Sequence, residues 1–564
     1  MSTAPSPRYD RRSFMGYFAS IGLGSTLLPG VLWARAANGE EITPESIASA
    51  EEIAGVQFDE DERKQMVRAL QRQEQQIEQL HAITLPNSVP PAIIFDPVPP
   101  GTTLDLPKTP SHGARAPVRP PAVSANLEDL AFLPVTALSE LVRTRKVTSV
   151  QLTRMYLERL RRYDPTLHFV VNYTEERAMK QARAADEEIA RGKYRGPLHG
   201  IPWGAKDLFA VAGTPTTWGA APYKDQMIDS DATIVQRLDA AGAVLVAKLT
   251  LGALAMGDQW FGGQTRNPWK PEQGSSGSSA GPGSATAAGC VGFAVGTETL
   301  GSISSPSTRN GVTGLRPTFG RVPRTGAMAL SWTMDKIGPM CRAVEDCAFV
   351  LEAMHGADGM DLSAKDIPFV WDARTPLKSI RVGYAKADFE RDYPTKAFDQ
   401  ATLDKLRSLG VNLLPVDVPD QPYNAMRLIL NAEAAAAFDD LTRSGRDKEM
   451  TQQGDNAWPN TFRTARFIPA ADYVNANRAR VQAMRAWAEL MKTVDIFVAP
   501  TFSSQLTATN LTGHPALILP NGFRDDGTPV SITFVGGLYK ELPLLVVGRA
   551  YQEATDFHLK HPTL

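Results

Sequence analysis

From about residue 126 onward, short apolar runs of strand length alternate with helical faces, and this alternation restricts the chain to few architectures. Leu152, Tyr156, Leu160 and Tyr163 recur at helical spacing on one face. Asp231 stands where it would cap a helix running through Leu238 and stopping at Gly242, and the β-branched run Val244, Leu245, Val246 follows at once. Ile496-Phe497-Val498, Ala516-Leu517-Ile518-Leu519 and residues 530–535 read as buried strands between turn signals. Strands alternating with helices predict an α/β fold whose helices cover a sheet. With 564 residues, 43% of them hydrophobic, the chain can bury a large core. Its net charge of -2 supplies no field that would draw nucleic acid or anionic lipid, so neither is expected as a partner.

The first 127 residues have a different texture. Arg11 and Arg12 precede Ser13, Phe14 and Met15, then an apolar run over 17–33 is broken by Gly22, Gly24, Pro29 and Gly30. Ala34-Arg35-Ala36 offers small residues for cleavage after Ala36. Paired arginines, a weakly hydrophobic centre and an A-x-A site predict a twin-arginine export signal over 1–36, hence a periplasmic or secreted protein. No other segment reaches the apolar length of a membrane span. Residues 37–85 read as a helical extension. Thr43-Pro44 marks one helix start, and a second helix over 59–80 carries Met66, Leu70, Ile77 and Leu80 on a stripe expected to pack on the main body. Residues 86–127 include Pro90-Pro91, Pro99-Pro100 and Pro120-Pro121, which cannot donate ladder hydrogen bonds and predict an extended strap or linker. Cys290, Cys341 and Cys347 are too few and scattered for a disulfide framework or a zinc site, so neither metal nor cofactor is expected.

The most unusual stretch runs from 274 to 307. A Gly-Ser-rich opening, an apolar segment over 285–295 and a second turn, Gly296-Thr297-Glu298-Thr299-Leu300-Gly301-Ser302-Ile303, succeed one another. The apolar insert excludes a disordered linker. Glycines beside serines let the backbone approach a substrate and offer it N–H groups. No Gly-Lys-Ser/Thr follows, so a phosphate loop is excluded. Gly277-Ser278-Ser279-Ala280-Gly281 matches G-x-S-x-G in form, but Asn267-Pro268-Trp269-Lys270-Pro271-Glu272-Gln273 before it is no buried strand, as a nucleophile elbow requires. Acyl transfer by a serine remains.

Here the chain resembles the amidase signature family. Gly277-Ser278-Ser279 resembles its glycine-serine stretch, the 296–303 turn its nucleophile loop, and Gly200-Ile201-Pro202-Trp203-Gly204-Ala205-Lys206-Asp207 its lysine motif. Arg266-Asn267-Pro268-Trp269, Gly311-Val312-Thr313-Gly314-Leu315-Arg316-Pro317-Thr318 and Gly513-His514-Pro515-Ala516 match as well. Ser278 and Ser302 keep the family's spacing of 24 residues. The resemblance covers 128–564 and implies an α/β/α sandwich around a mixed twisted sheet, to which the helical and proline-rich N-terminal segments are added.

The resemblance further implies a Ser–cis-Ser–Lys triad of Ser302, Ser278 and Lys206, with an oxyanion hole from Thr299, Leu300, Gly301 and Ser302. The reaction expected is hydrolysis of a small-molecule amide, with esters and carbamates open to the same acyl-enzyme chemistry. Lys206 can act as a base only when neutral. Asp258, Gln259, Trp260 and Phe261 are candidates for the substrate pocket. Ser279 reads as a structural hydrogen-bonder, and His514 as a packing or pocket residue. Three departures from the family pattern fall on the loop: Leu300 for Gly, Glu298 for Asp, and Ser304 for an Arg whose anchoring Arg309 is placed to replace. The alternatives are the amidase subunit of a tRNA-dependent amidotransferase, against which export argues, and a non-catalytic binding protein on the same fold.

Overall fold

A computed structural model describes residues 42–104, 113, 115 and 122–564, so the predicted export segment lies outside the described residues. Two helices come first. α1 (Pro44–Ala54) starts as Thr43-Pro44 predicts, with Thr43 and Ser46 forming a capping box, and α2 (Glu60–His81) is capped likewise by Asp59 and Glu62. The stripe on α2 does not pack on the main body as expected. Gly55 turns the chain in a left-handed conformation, the Glu51–Arg63 ion pair (2.8 Å) clamps the two helices, and Met66, Leu70 and Ile77 face Ile47 across an apolar cavity of about 260 Å³. The nearest apolar surface is α1, and no residue of α2 is buried.

Among the described residues, eleven strands form one mixed sheet. In chain order they are β1 (Val170–Tyr173), β2 (Pro202–Lys206), β3 (Val244–Leu249), β4 (Phe293–Glu298), β5 (Thr313–Arg316) and β6 (Lys336–Cys341). Then come β7 (Val382–Ala385), β8 (Leu413–Val416), β9 (Ile496–Pro500), β10 (Ala516–Phe523) and β11 (Pro529–Gly536). Their spatial order is β1-β3-β2-β4-β6-β5-β10-β11-β9-β7-β8. β2 runs parallel to both β3 and β4, β7 runs parallel to β8 and β9, and the remaining pairs are antiparallel. Helices complete an α/β/α sandwich. α3 (Ser149–Leu167) buries Leu152, Tyr156 and Leu160 as predicted, and α4 (Glu175–Ala190) packs against β3. A helix, α5 (Thr233–Ala240), forms where expected, but Asp231 does not cap it: its carboxylate accepts from Arg177 and from the Ala212 N–H, and Ala232 takes the cap position. The three cysteines are buried and none is in a disulfide. No described helix is long and apolar enough to cross a membrane.

Two features of the sheet decide where polar groups gather. β2, β3, β4 and β6 are buried along their whole length, which is why they read as continuous apolar runs without alternation. Among the polar exceptions, Lys206 is the last residue of β2, Lys248 lies one residue before the end of β3, and Thr297 and Glu298 end the adjacent parallel β4, whereas Lys336 opens the antiparallel β6. Carboxyl ends of neighbouring parallel strands are where an α/β sheet presents functional groups.

Packing along β6 is tight enough to test. A Cβ added to Gly338 would lie 2.0 Å from the Leu315 carbonyl oxygen on β5. Gly338→Ala is expected to destabilise the protein by about 1–3 kcal/mol, seen as a lower urea midpoint; an unchanged midpoint contradicts this packing.

Candidate active site

The Lys206 side chain is fully buried, and its Nζ meets three hydroxyl oxygens: Thr297 Oγ1 at 2.8 Å, Ser278 Oγ at 2.9 Å and Ser279 Oγ at 3.0 Å. The Thr297 carbonyl lies at 3.5 Å. Ser279 Oγ donates to the Thr297 carbonyl (3.1 Å) and accepts the Thr297 N–H (3.1 Å). Its one proton is therefore committed, and toward Lys206 it can only accept. Burial holds the Lys206 ammonium well below the ordinary lysine range, and the opposing pull of Asp335 and Glu298 does not restore it. Behind it, Lys248 Nζ pairs with the buried Asp207 carboxylate at 2.7 Å, so the aspartate adjoining Lys206 in sequence is spent on a different lysine.

Ser278 and Ser279 stand just before α6 (Ala280–Ala287), which the chain enters through a cis Gly277–Ser278 peptide. Ser302 follows β4 and precedes α7 (Ser304–Asn310). The two loops are joined by backbone: the Ser279 N–H donates to the Ser302 carbonyl at 3.1 Å. No hydrogen bond joins the Ser278 and Ser302 hydroxyls among the described contacts, and catalytic hydrogen bonds are often long before substrate binds. The structure thus brings Lys206 and Ser278 into contact and sets Ser302 beside them through the Ser279 backbone.

The 299–302 turn is shaped by Glu298. One carboxylate oxygen accepts the Ile303 N–H (2.8 Å), the Ser304 N–H (2.8 Å) and the Ser304 hydroxyl (2.9 Å). The other takes Arg316 (2.5 Å) and the Asn510 carboxamide (2.8 Å). Burial alone would push this carboxyl up; Arg316 and the hydrogen bonds outweigh it and hold the group at about 2. Arg309 does not take over the anchoring expected of it: it is exposed and bonds Gln273, whereas Arg316 is buried against Glu298. Ser304 now gives the carboxylate a hydroxyl and an N–H. The left-handed residue of the turn is Gly301 (φ 92°), so Leu300 needs no such conformation. The N–H groups of Leu300, Gly301 and Ser302 have no acceptor among the described backbone hydrogen bonds. Thr299 Oγ1 donates to Asp335 at 2.5 Å.

A cleft of about 540 Å³ reaches this loop, with Thr297, Thr299 and Asp335 in its lining. None of the four predicted pocket residues lines it. Asp258 accepts the Ser276 N–H (2.9 Å) and supports the glycine-serine loop, while Trp260 is buried edge-on to Phe261 and the Phe261 N–H donates to the Gly219 carbonyl. His514 is a neutral packing residue against Trp487, with burial pushing its imidazole down to about 3. Thr297, Asn510 and Asp335 were not singled out in the sequence; for Thr297 a signal existed, since it lies inside the 296–303 turn.

Comparison with known proteins decides the family. The family described as Amidase matches residues 151–509. The chain belongs to the amidase family. The A subunit of glutamyl-tRNA(Gln) amidotransferase from Marinomonas sp. (strain MWYL1) is 30% identical over 479 residues, 76% of this chain and 98% of that protein. Its counterpart from Methylococcus capsulatus is 33% identical over 468 residues, 74% of this chain and 96% of the other. Among solved structures, a peptide amidase in complex with the competitive inhibitor chymostatin superposes with a TM-score of 0.69 at 30% identity, covering 77% of this chain and 100% of its own. An amidase family protein from Bacillus anthracis gives 0.69 at 27% identity, covering 78% and 93%. The amidase is thus an enzyme with the fold of amide-cleaving relatives. One expectation falls here. Net charge had argued against a nucleic-acid partner, but the curated relatives are glutamyl-tRNA(Gln) amidotransferase subunits; a formal charge near zero averages over the surface and does not describe one face of it.

Glu298→Gln keeps the shape of the loop support and leaves the Arg316 guanidinium buried without its countercharge. The expected loss is about 3–5 kcal/mol near neutral pH. Because the folded carboxyl sits at about 2 against an ordinary 4.5, its stabilisation is present above that ordinary value and lost as pH falls toward 2. The gap between wild type and variant, followed by denaturant titration, should narrow over that window; a gap independent of pH contradicts the assignment.

Proposed function

We propose that the amidase cleaves an amide through an acyl-enzyme on Ser302, with Lys206 as base and Ser278 between them. The observation that carries this is the convergence of three hydroxyls on one buried amine. A neutral amine has two N–H groups and one lone pair. Ser279 can only accept, so it takes one N–H, and Thr297 Oγ1, the nearest oxygen, takes the other. The lone pair is then left for the Ser278 proton. As Ser302 Oγ attacks the carbonyl, its proton passes to Ser278 and the Ser278 proton to Lys206, giving an ammonium and a tetrahedral oxyanion. N–H groups of the 299–302 turn stabilise that oxyanion, each worth about 2.7–4 kcal/mol in comparable sites. The C–N bond breaks, the leaving nitrogen takes a proton back through the same relay, and water then attacks the ester by the reverse path to release the acid.

The nitrogen's fate has two readings. The curated relatives favour an amidotransferase type, in which nitrogen released from a carboxamide goes on to an aminoacyl-tRNA-linked acceptor. Nearly their whole length is matched by three-quarters of this chain. The second reading is an exported hydrolase, favoured by Arg11-Arg12 with Ala34-Arg35-Ala36 and by the likeness to peptide amidase. In that reading 1–36 is the signal, and 37–85 and 86–127 are additions to a catalytic unit at 128–564. Ammonia release from glutamine that rises with added tRNA and partner proteins supports the first; fractionation of the full chain to the periplasm with residue 37 at its mature end supports the second.

Ser302→Ala should abolish turnover of any amide the wild type cleaves, and Lys206→Ala should lower kcat by about 10²–10⁴-fold at neutral pH. Steady-state assays check both, and a Lys206→Ala enzyme with wild-type kcat removes the base from the scheme.

A further inference from the structure

Residues 86–99 contain neither helix nor strand, yet they are fastened at both ends. At the first end the Asn87 carboxamide grips one backbone: Nδ2 donates to the Ala329 carbonyl (2.8 Å) and Oδ1 accepts the Ala329 N–H (2.8 Å), with a further bond from Nδ2 to the Ala437 carbonyl (3.3 Å). At the second end Phe95 packs edge-on to Phe319 at 5.0 Å and lies under the Arg480 guanidinium. Pro97 is buried against Gly513, where an added Cβ would come within 2.7 Å of it. Asp96 pairs with Lys365 beside them.

Between these anchors the strap runs along the cleft that reaches Thr297 and Thr299, and Ser88, Pro90, Pro91 and Ile93 form part of its lining. Pro90 and Pro91 have fixed φ and no N–H, so this span loses little entropy when pinned and has no ladder to join. It is a wall of the cleft and lies outside residues 151–509, the part that matches the family. The cleft it lines is largely apolar, with Leu208, Trp218, Met328, Trp332 and Ile337 also in the lining. Its charged side chains already have protein partners. Arg324 pairs with Asp361 at 2.8 Å, Asp231 with Arg177 at 2.7 Å, and Asp335 holds Thr299 and the Leu330 and Ser331 N–H groups. Lys336 donates to the Met334 carbonyl, and burial holds its ammonium well below the ordinary lysine range.

We propose that this strap is a specificity wall, and that the amidase takes amides whose acyl part carries a bulky, uncharged apolar group lodged against Ile93 and the tryptophans of the cleft. The proposal rests on Ser302 being the group that is acylated and on the second, hydrolytic reading, since the acyl part of glutamine is charged. An apolar wall contributes to selectivity through the surface it buries, and a charge placed on it removes that contribution.

The test uses the full chain and two fluorophosphonates, one with a short and one with a long alkyl group, and reads the rate constant for labelling of Ser302. The wild type should label faster with the long probe. Ile93→Asp should lower the long-to-short rate ratio by about tenfold, the scale on which apolar pockets discriminate. Ile93 is 61% exposed, so the change does not threaten the core. Asn87→Ala, which adds no charge but releases the first anchor, should lower the ratio in the same direction. A ratio unchanged in both variants, with labelling intact, overturns the specificity wall and leaves the Ser302 reading standing. A wild type that prefers the short probe also overturns it. Failure of both probes to label the wild type overturns the Ser302 reading and this proposal together.

Discussion

Removing an amine from water penalises its charged form by several kcal/mol, on the order of the cost of any buried ion. Everything at this site depends on that penalty falling on Lys206. The sheet delivers it: Lys206 ends β2, flanked by the parallel strands β3 and β4, and no water-exposed surface remains on its side chain. What meets the amine there is a set of hydroxyls from Ser278, Ser279 and Thr297, which can hydrogen-bond a neutral amine without neutralising an ammonium. The acids of the neighbourhood are spent elsewhere. Asp207 serves Lys248, Glu298 serves Arg316, and Asp335 serves Thr299 and two N–H groups.

The Glu298–Arg316 pair is the complementary device. Where Lys206 is buried without an ion-pair partner and its ammonium is held well below the ordinary lysine range, Glu298 is buried with one and stays ionised. Its charge is used to gather the Ile303 and Ser304 N–H groups. That leaves the N–H groups just before them, in the 300–302 turn, without protein acceptors among the described backbone hydrogen bonds. One carboxylate therefore satisfies the start of α7, and the N–H groups just before it are the donors that the proposed oxyanion hole would use.

Much of this was readable in the residues. Buried strands announce themselves as apolar runs, and the ordered motifs around Lys206, Ser278 and Ser302 named segments that the fold brings together. What could not be read was through-space partnership. Arg309 is near the loop in sequence, but the side chain that reaches Glu298 is Arg316, on β5, and Asn510 arrives from more than 200 residues away. The α2 stripe had the right spacing, but periodicity does not name the surface it packs on, and α1 was closer than the core. Trp260 and Phe261 showed the same ambiguity, since an aromatic pair reads alike in a pocket and in packing. The prolines of 86–99 argue for an extended segment, yet its course over the cleft depends on Ala329, Phe319 and Gly513, far along the chain.

The most direct test of the account is the pH dependence of Ser302 acylation by a fluorophosphonate, measured by stopped flow in the wild type and in Lys206→Met. Deprotonation of a lysine held well below its ordinary 10.5 should give the wild type a rate that climbs with pH and levels off below that value, and the variant should lack this limb. Identical profiles in the two proteins, or a wild-type rate that climbs only through 10.5, would contradict a buried neutral amine as the base.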